Sequence, residues 1–187
     1  MYAKNVKHGD VKAENLLVYA YPDRLISKLC DFGFARQSSA TMSVAGGGTA
    51  NFEAPEVRAT GKASFASDIF SIGMTAVQIL TRKAPARHEW RNQVQRAVSG
   101  IPIPRGLSKE VFEAASSALQ ALLLRAVEEE QIRRPNAIEA AKSVISIFES
   151  LGGDPRTDTS APDHDEIEIV ENRVRQAMKQ RVAGQHP

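Results

Sequence analysis

The stretch His8-Gly9-Asp10-Val11-Lys12-Ala13-Glu14-Asn15 decides how this chain is read, and the neighbouring segments take their meaning from it. Directly after it come two apolar runs of equal length, Leu16-Leu17-Val18-Tyr19-Ala20 and Ile26-Ser27-Lys28-Leu29-Cys30. Tyr21-Pro22-Asp23-Arg24 lies between them with turn-forming residues at its centre, so the runs are predicted to pair as a β-hairpin. Antiparallel pairing of equal runs would bring the flanking Asn15 and Asp31 side by side. Asp31-Phe32-Gly33 follows the hairpin, and Gly48-Thr49-Ala50-Asn51-Phe52-Glu53-Ala54-Pro55-Glu56 comes later. Residues 37–51 are rich in Ser, Thr, Ala and Gly and are predicted to form a loop. Gly46-Gly47-Gly48 is not followed by the lysine of a phosphate-cradling G-x-x-x-x-G-K-[ST] loop, so it reads as a flexible segment.

Residues 64–81 are predicted to be helical, with Asp68 as their one charge and apolar side chains on nearly every face. A helix apolar all round is a buried helix. Arg82 and Lys83 follow at its C-terminal end, where the helix dipole favours positive charge. A buried carboxylate needs partners, so Asp68 is expected to anchor backbone N–H groups of a loop. Helical spacing recurs over 109–127 and 137–151, the second opening with Asn136 and a Glu139 placed to cap it. Residues 152–165 read as a linker. Residues 166–183 are predicted to form an amphipathic helix with Ile167, Val170, Val174 and Met178 on one side.

Composition narrows the class. The chain has 187 residues, 42% hydrophobic and 25% charged, which excludes collagen-like, low-complexity and wholly disordered chains. Lys and Arg number 24 against 22 Asp and Glu, a balance that gives no basic stripe for nucleic acid. No apolar stretch is long enough for a membrane helix, and the first ten residues lack the apolar core of a signal peptide. The single Cys30 excludes an internal disulfide and fits a reducing, cytoplasmic compartment.

Taken in order and spacing, the three motifs resemble the protein kinase family: the catalytic loop H-R-D-x-K-x-x-N, the D-F-G motif and the A-P-E that closes the activation segment. Asp68-Ile69-Phe70-Ser71-Ile72-Gly73 and Arg134-Pro135 are similar to two further family signatures, and the resemblance covers about residues 4–150. It implies a mainly α fold, the kinase C-terminal lobe over residues 1–151, with a small hairpin beside the catalytic loop. It implies ATP and Mg²⁺ as cofactors and a protein substrate bearing a Ser or Thr hydroxyl. Asp10 would accept the hydroxyl proton and Lys12 would sit beside the transferring phosphate. Asn15 and Asp31 offer hard oxygen ligands for the metal. Thr49 would contact the catalytic loop and help form the substrate platform, and Phe32 and Gly33 would form the switch. His8 is expected to be a packed structural residue, and Glu56 and Arg134 a buried ion pair. Cys30 would face the nucleotide site as an inert small hydrophobe.

The sequence departs from the family in two ways. Gly9 replaces the arginine that commonly meets a phosphorylated activation loop, so control through Ser38, Ser39, Thr41 or Ser43 is not expected. Neither the glycine-rich loop G-x-G-x-x-G-x-V nor the V-A-I-K strand occurs. The expectation is therefore a C-terminal lobe without its N-terminal lobe, inactive by itself and exposing an apolar face of the central helix. The alternative is a kinase-derived scaffold without catalysis. The helix predicted at 166–183 could dock on a partner.

Overall fold

The computed structural model describes residues 6–20, 25–34, 36–37 and 49–153. Strand β1 (Val6–Lys7) precedes a hairpin of β2 (Leu16–Ala20) and β3 (Leu25–Leu29), and β4 (Arg36–Gln37) returns antiparallel to β1. Helices follow: α1 (Pro55–Thr60), α2 (Phe65–Thr81), α3 (Trp90–Ser99), α4 (Lys109–Ala126) and α5 (Ala137–Ser150).

The hairpin differs from its prediction by one residue. Leu16 pairs with Leu29 and Ala20 with Leu25, so the connection is residues 21–24 and the second strand starts before Ile26. A hairpin's register follows the length of its connection, and one residue fewer shifts every partner. Asn15 therefore faces Cys30, whose N–H donates to the Asn15 carbonyl at 2.8 Å, and not Asp31. Asp31 lies one step past the ladder with a left-handed backbone, φ 61°.

The helices start where short polar side chains can cap them. Ser64 and Ser67 form a reciprocal box at the head of α2, and Asn136 and Glu139 do the same for α5. Ser108 accepts from the Val111 N–H to cap α4. Two helices were missed by periodicity. α1 spans only six residues, but Pro55 at its start and Gly61 in the left-handed region at its end are the expected punctuation. α3 has no side-chain cap, and its signal is the i, i+3, i+4 set Val94, Ala97, Val98, all buried.

α2 forms the centre of the core. Phe70, Met74 and Val77 pack with Val94 and Val98 of α3 and Leu123 of α4. Gly73 lets α2 and the end of α4 approach: a Cβ there would lie 2.8 Å from Val127 Cγ1 and 3.2 Å from Ala126 Cβ. α2 is not buried all round, however. Ile72 and Ile79, two turns apart on one side, remain about half exposed at 49% and 56%. Ser38, Ser39, Thr41 and Ser43, the linker from residue 154 onward and the helix predicted at 166–183 lie outside the described residues.

Candidate active site

α2 holds the loop between β1 and β2 at several points along one face. The Asp68 carboxylate accepts the backbone N–H of His8 at 2.7 Å and of Gly9 at 2.9 Å. One turn further on, Ser71 Oγ donates to the Phe52 carbonyl at 2.8 Å. Thr75 Oγ1 donates to the Val11 carbonyl, and Gln78 accepts from the Ala13 N–H while donating to Glu14 Oε1. Asp68, Ser71, Thr75 and Gln78 stand at i, i+3, i+7 and i+10, which is one side of a helix. In the sequence only Asp68 is read as an anchor, with Ser71 noted as part of its motif. The regular polar stripe on an otherwise apolar helix was the signal for the other three.

Burial pushes the Asp68 carboxyl above its ordinary value, against the opposing pull of the Gly9 and His8 N–H groups. Gly9 sits at φ 81°, a conformation that costs a glycine nothing, and this lets the loop offer two successive N–H groups to one carboxylate. His8 is fully buried. The Asp10 N–H donates to its Nδ1 at 3.3 Å, so Nε2 carries the proton and donates to the Cys30 carbonyl at 3.0 Å. The ring also meets Phe32 at a centroid distance of 5.0 Å. His8 thus ties α2, the hairpin and the residue after Asp31 together, with no free nitrogen for acid–base work.

Asp10 is buried, and three groups converge on its carboxylate. Lys12 Nζ lies 2.7 Å from Oδ2, Asn15 Nδ2 donates to Oδ2 at 3.2 Å, and the Thr49 N–H donates to Oδ1 at 3.0 Å. Burial would raise its pKa, but the Lys12 ammonium and the Thr49 N–H outweigh it and hold the carboxyl below its ordinary range. Lys12 Nζ also donates to Thr49 Oγ1 at 2.6 Å, and Asn15 Nδ2 to the Asp10 carbonyl at 2.7 Å. A carboxylate has about four acceptor positions. Lys12, Asn15 and the Thr49 N–H fill three of them, and the Thr49 hydroxyl adds a further side-chain interaction with the same carboxylate.

Asp31 forms no hydrogen bond or ion pair with Asp10, Lys12, Asn15 or Thr49. It is exposed, and its Oδ1 accepts the Gly33 N–H at 3.2 Å. Cys30 Sγ donates to the Asn15 carbonyl at 3.2 Å. Asn15 has committed its amide nitrogen to Asp10, so its Oδ1 is the atom left for a cation. No group of three His, Cys, Asp or Glu side chains suited to a metal occurs among the described residues.

Glu56 and Arg134 lock the far side. Arg134 Nη1 and Nη2 donate to the two Glu56 oxygens at 2.6 and 2.8 Å, a fork-on-fork pair. The remaining donors go to the carbonyls of Glu128, Ala66 and Glu129, and the guanidinium lies 5.0 Å over the Phe70 ring. The start of α1 is thereby fixed to the helical core.

The family model for the protein kinase domain matches residues 1–145. The serine/threonine-protein kinase STY46 of Arabidopsis thaliana is 31% identical over 153 residues, covering 81% of this chain and 25% of that protein. Mitogen-activated protein kinase kinase kinase 2 of Arabidopsis thaliana is 30% identical over 146 residues, 73% of this chain and 21% of that protein. Serine/threonine-protein kinase D of Synechocystis is 27% identical over 168 residues, 83% of this chain and 30% of that protein. The chain thus spans about a fifth to a third of the length of these curated relatives. With the motif order, the helical architecture and the match over residues 1–145 in agreement, the chain belongs to the protein kinase family.

Proposed function

We infer that this segment serves phosphoryl transfer from ATP to a serine or threonine hydroxyl of a protein substrate. One observation carries the reading. Asp10 is buried, held ionised, and bound on its two oxygens by Lys12 and Thr49. A carboxylate in that state can accept the proton of an approaching hydroxyl and orient its oxygen. Lys12, already fixed on Asp10 and Thr49, brings a cation to where negative charge would gather on the transferred group.

The residues fit a magnesium nucleotide. Mg²⁺ binds proteins through one or two carboxylate or amide oxygens and completes its shell with phosphates and water, so no three-carboxylate cluster is needed. Asn15 Oδ1 and the Asp31 carboxylate are the oxygens that would hold it. When bound, magnesium ATP supplies the transferable phosphoryl group and the metal charge that offsets its oxygens. The 187 residues contain neither the G-x-G-x-x-G-x-V loop nor the V-A-I-K lysine that would hold the α- and β-phosphates. Transfer by this polypeptide alone is therefore expected to be very slow. A cytoplasmic location belongs to the same proposal and rests on the single, unpaired Cys30.

The test is transfer of radiolabelled phosphate from ATP to a serine peptide, with Asp10→Asn as control. Transfer that falls about 10²–10⁴-fold in the variant supports the reading. Manganese bound in the presence of ATP, followed by electron paramagnetic resonance, gives a second arm. Asp31→Ala should weaken it. Transfer indifferent to Asp10, or neither transfer nor metal binding, would favour the non-catalytic scaffold.

A further inference from the structure

Thr49 is bonded to Asp10 through its N–H and to Lys12 through its hydroxyl, so residues 49–53 run on directly from that carboxylate as a strip of chain, partly exposed except for the buried Phe52. Two arginines from separate segments lie on that strip. Arg58 of α1 donates through Nη2 to the carbonyls of Ala50 and Glu53, both at 3.4 Å. Arg87, from the connection between α2 and α3, donates through Nε to Asn51 Oδ1 at 3.3 Å. Arg58 Nη1 reaches the Arg87 carbonyl at 3.5 Å, so the two segments meet here.

These bonds are long, and each guanidinium carries five N–H donors, so the contacts aim the groups without saturating them. Both side chains are exposed. Elsewhere Arg91, Arg96, Arg125, Arg133 and Arg134 each meet a glutamate, while the exposed Arg82 and Arg105 meet none among the described residues but do not lie on this strip. Among the described residues Arg58 and Arg87 meet no carboxylate, although Glu53 stands on the strip itself and Glu89 lies two residues past Arg87. An oriented, unpaired pair of guanidinium groups is a receptor for carboxylates, which they grip in bidentate fashion.

The geometry points to Arg58 and Arg87 as specificity residues that select protein substrates with Asp or Glu close to the acceptor hydroxyl. This rests on the reading of Asp10, Lys12 and Thr49 as the acceptor side of a phosphoryl-transfer site. The two cations would draw an acidic flank onto residues 50–53 while the hydroxyl reaches Asp10. A basic flank would meet repulsion at the same place. Selection would thus work through both attraction and rejection.

The experiment is fluorescence anisotropy of the full 187-residue chain with fluorescein-labelled serine peptides of one length, flanked by Glu, Ala or Lys, at low ionic strength. Exposed ion pairs contribute modestly, so about fivefold tighter binding of the Glu peptides over the Lys peptides is expected. The preference should vanish in Arg58→Gln/Arg87→Gln and reverse in Arg58→Glu/Arg87→Glu. Arg58→Lys/Arg87→Lys should retain most of it, with thermal melts checking that each variant folds. Equal binding of all peptides, binding of none, or a preference that survives the glutamine pair would overturn the inference. Asp10→Asn should keep the preference while losing any phosphate transfer. If the parent transfers no phosphate, the functional reading fails, yet the binding ratio still decides the role of Arg58 and Arg87.

Discussion

Arg134 and Glu56, 78 residues apart in sequence, form a two-pronged ion pair in which the arginine side chain is wholly buried. Its other donors end on three backbone carbonyls, so no part of the guanidinium is left unsatisfied. Arg134→Ala strands Glu56 and those carbonyls together. It is expected to cost about 3–5 kcal/mol in urea unfolding. Arg134→Lys should recover less than half, since a point charge cannot replace the fork. A loss under about 1 kcal/mol for the alanine variant would show that the pair is incidental to stability.

Gly73 sets how closely α2 and α4 pack. Alanine would gain helix propensity on its own, but the added methyl meets Val127 at 2.8 Å, inside a fully packed region. Gly73→Ala is expected to lower stability by about 1–3 kcal/mol. A variant more stable than the parent would mean the α2–α4 contact yields easily.

Gly9 occupies the left-handed region at φ 81° while its N–H is held by Asp68. Gly9→Ala should therefore cost about 1–2 kcal/mol without removing any side-chain contact. Denaturation of the variant at neutral pH measures it. An unchanged midpoint would show that the loop can turn without that conformation.

Asp10 and Asp68 should respond to acid in opposite directions. Asp10 titrates below its ordinary 3.8, so the unfolded chain takes up its proton first and the stability this group contributes is lost as pH falls through that range. Asp68 titrates above 3.8, so the folded state takes up the proton first and its contribution grows as pH falls below the raised value. The cost of Asp10→Asn should shrink on acidification, and the cost of Asp68→Asn should grow. Urea midpoints of parent and variants between about pH 3 and 7 would reveal this, and parallel slopes for the two variants would contradict it.

The elements governed by local chemistry were legible in the sequence. Apolar spacing placed α2, α4 and α5 to within a residue of their ends, and the Asn136 and Glu139 cap marked the start of α5. The three motifs marked Asp10, Lys12, Asn15, Asp31 and Thr49, of which the structure joins Asp10, Lys12, Asn15 and Thr49 by hydrogen bonds, and the lone charge of α2 marked Asp68 as an anchor. What the sequence alone could not decide depended on distant partners. The hairpin register turned on a connection one residue shorter than the apolar pattern suggested, which put Cys30 and not Asp31 opposite Asn15. The polar stripe gained meaning only when other segments folded against it, Phe52 on Ser71 and the loop after β1 on Thr75 and Gln78. The meeting of Arg58 and Arg87 on residues 50–53 joins two segments that share no local pattern. Caps and periodicity act within a few residues along the chain. Register, anchoring and charge placement are settled across it, where tertiary packing chooses which groups meet.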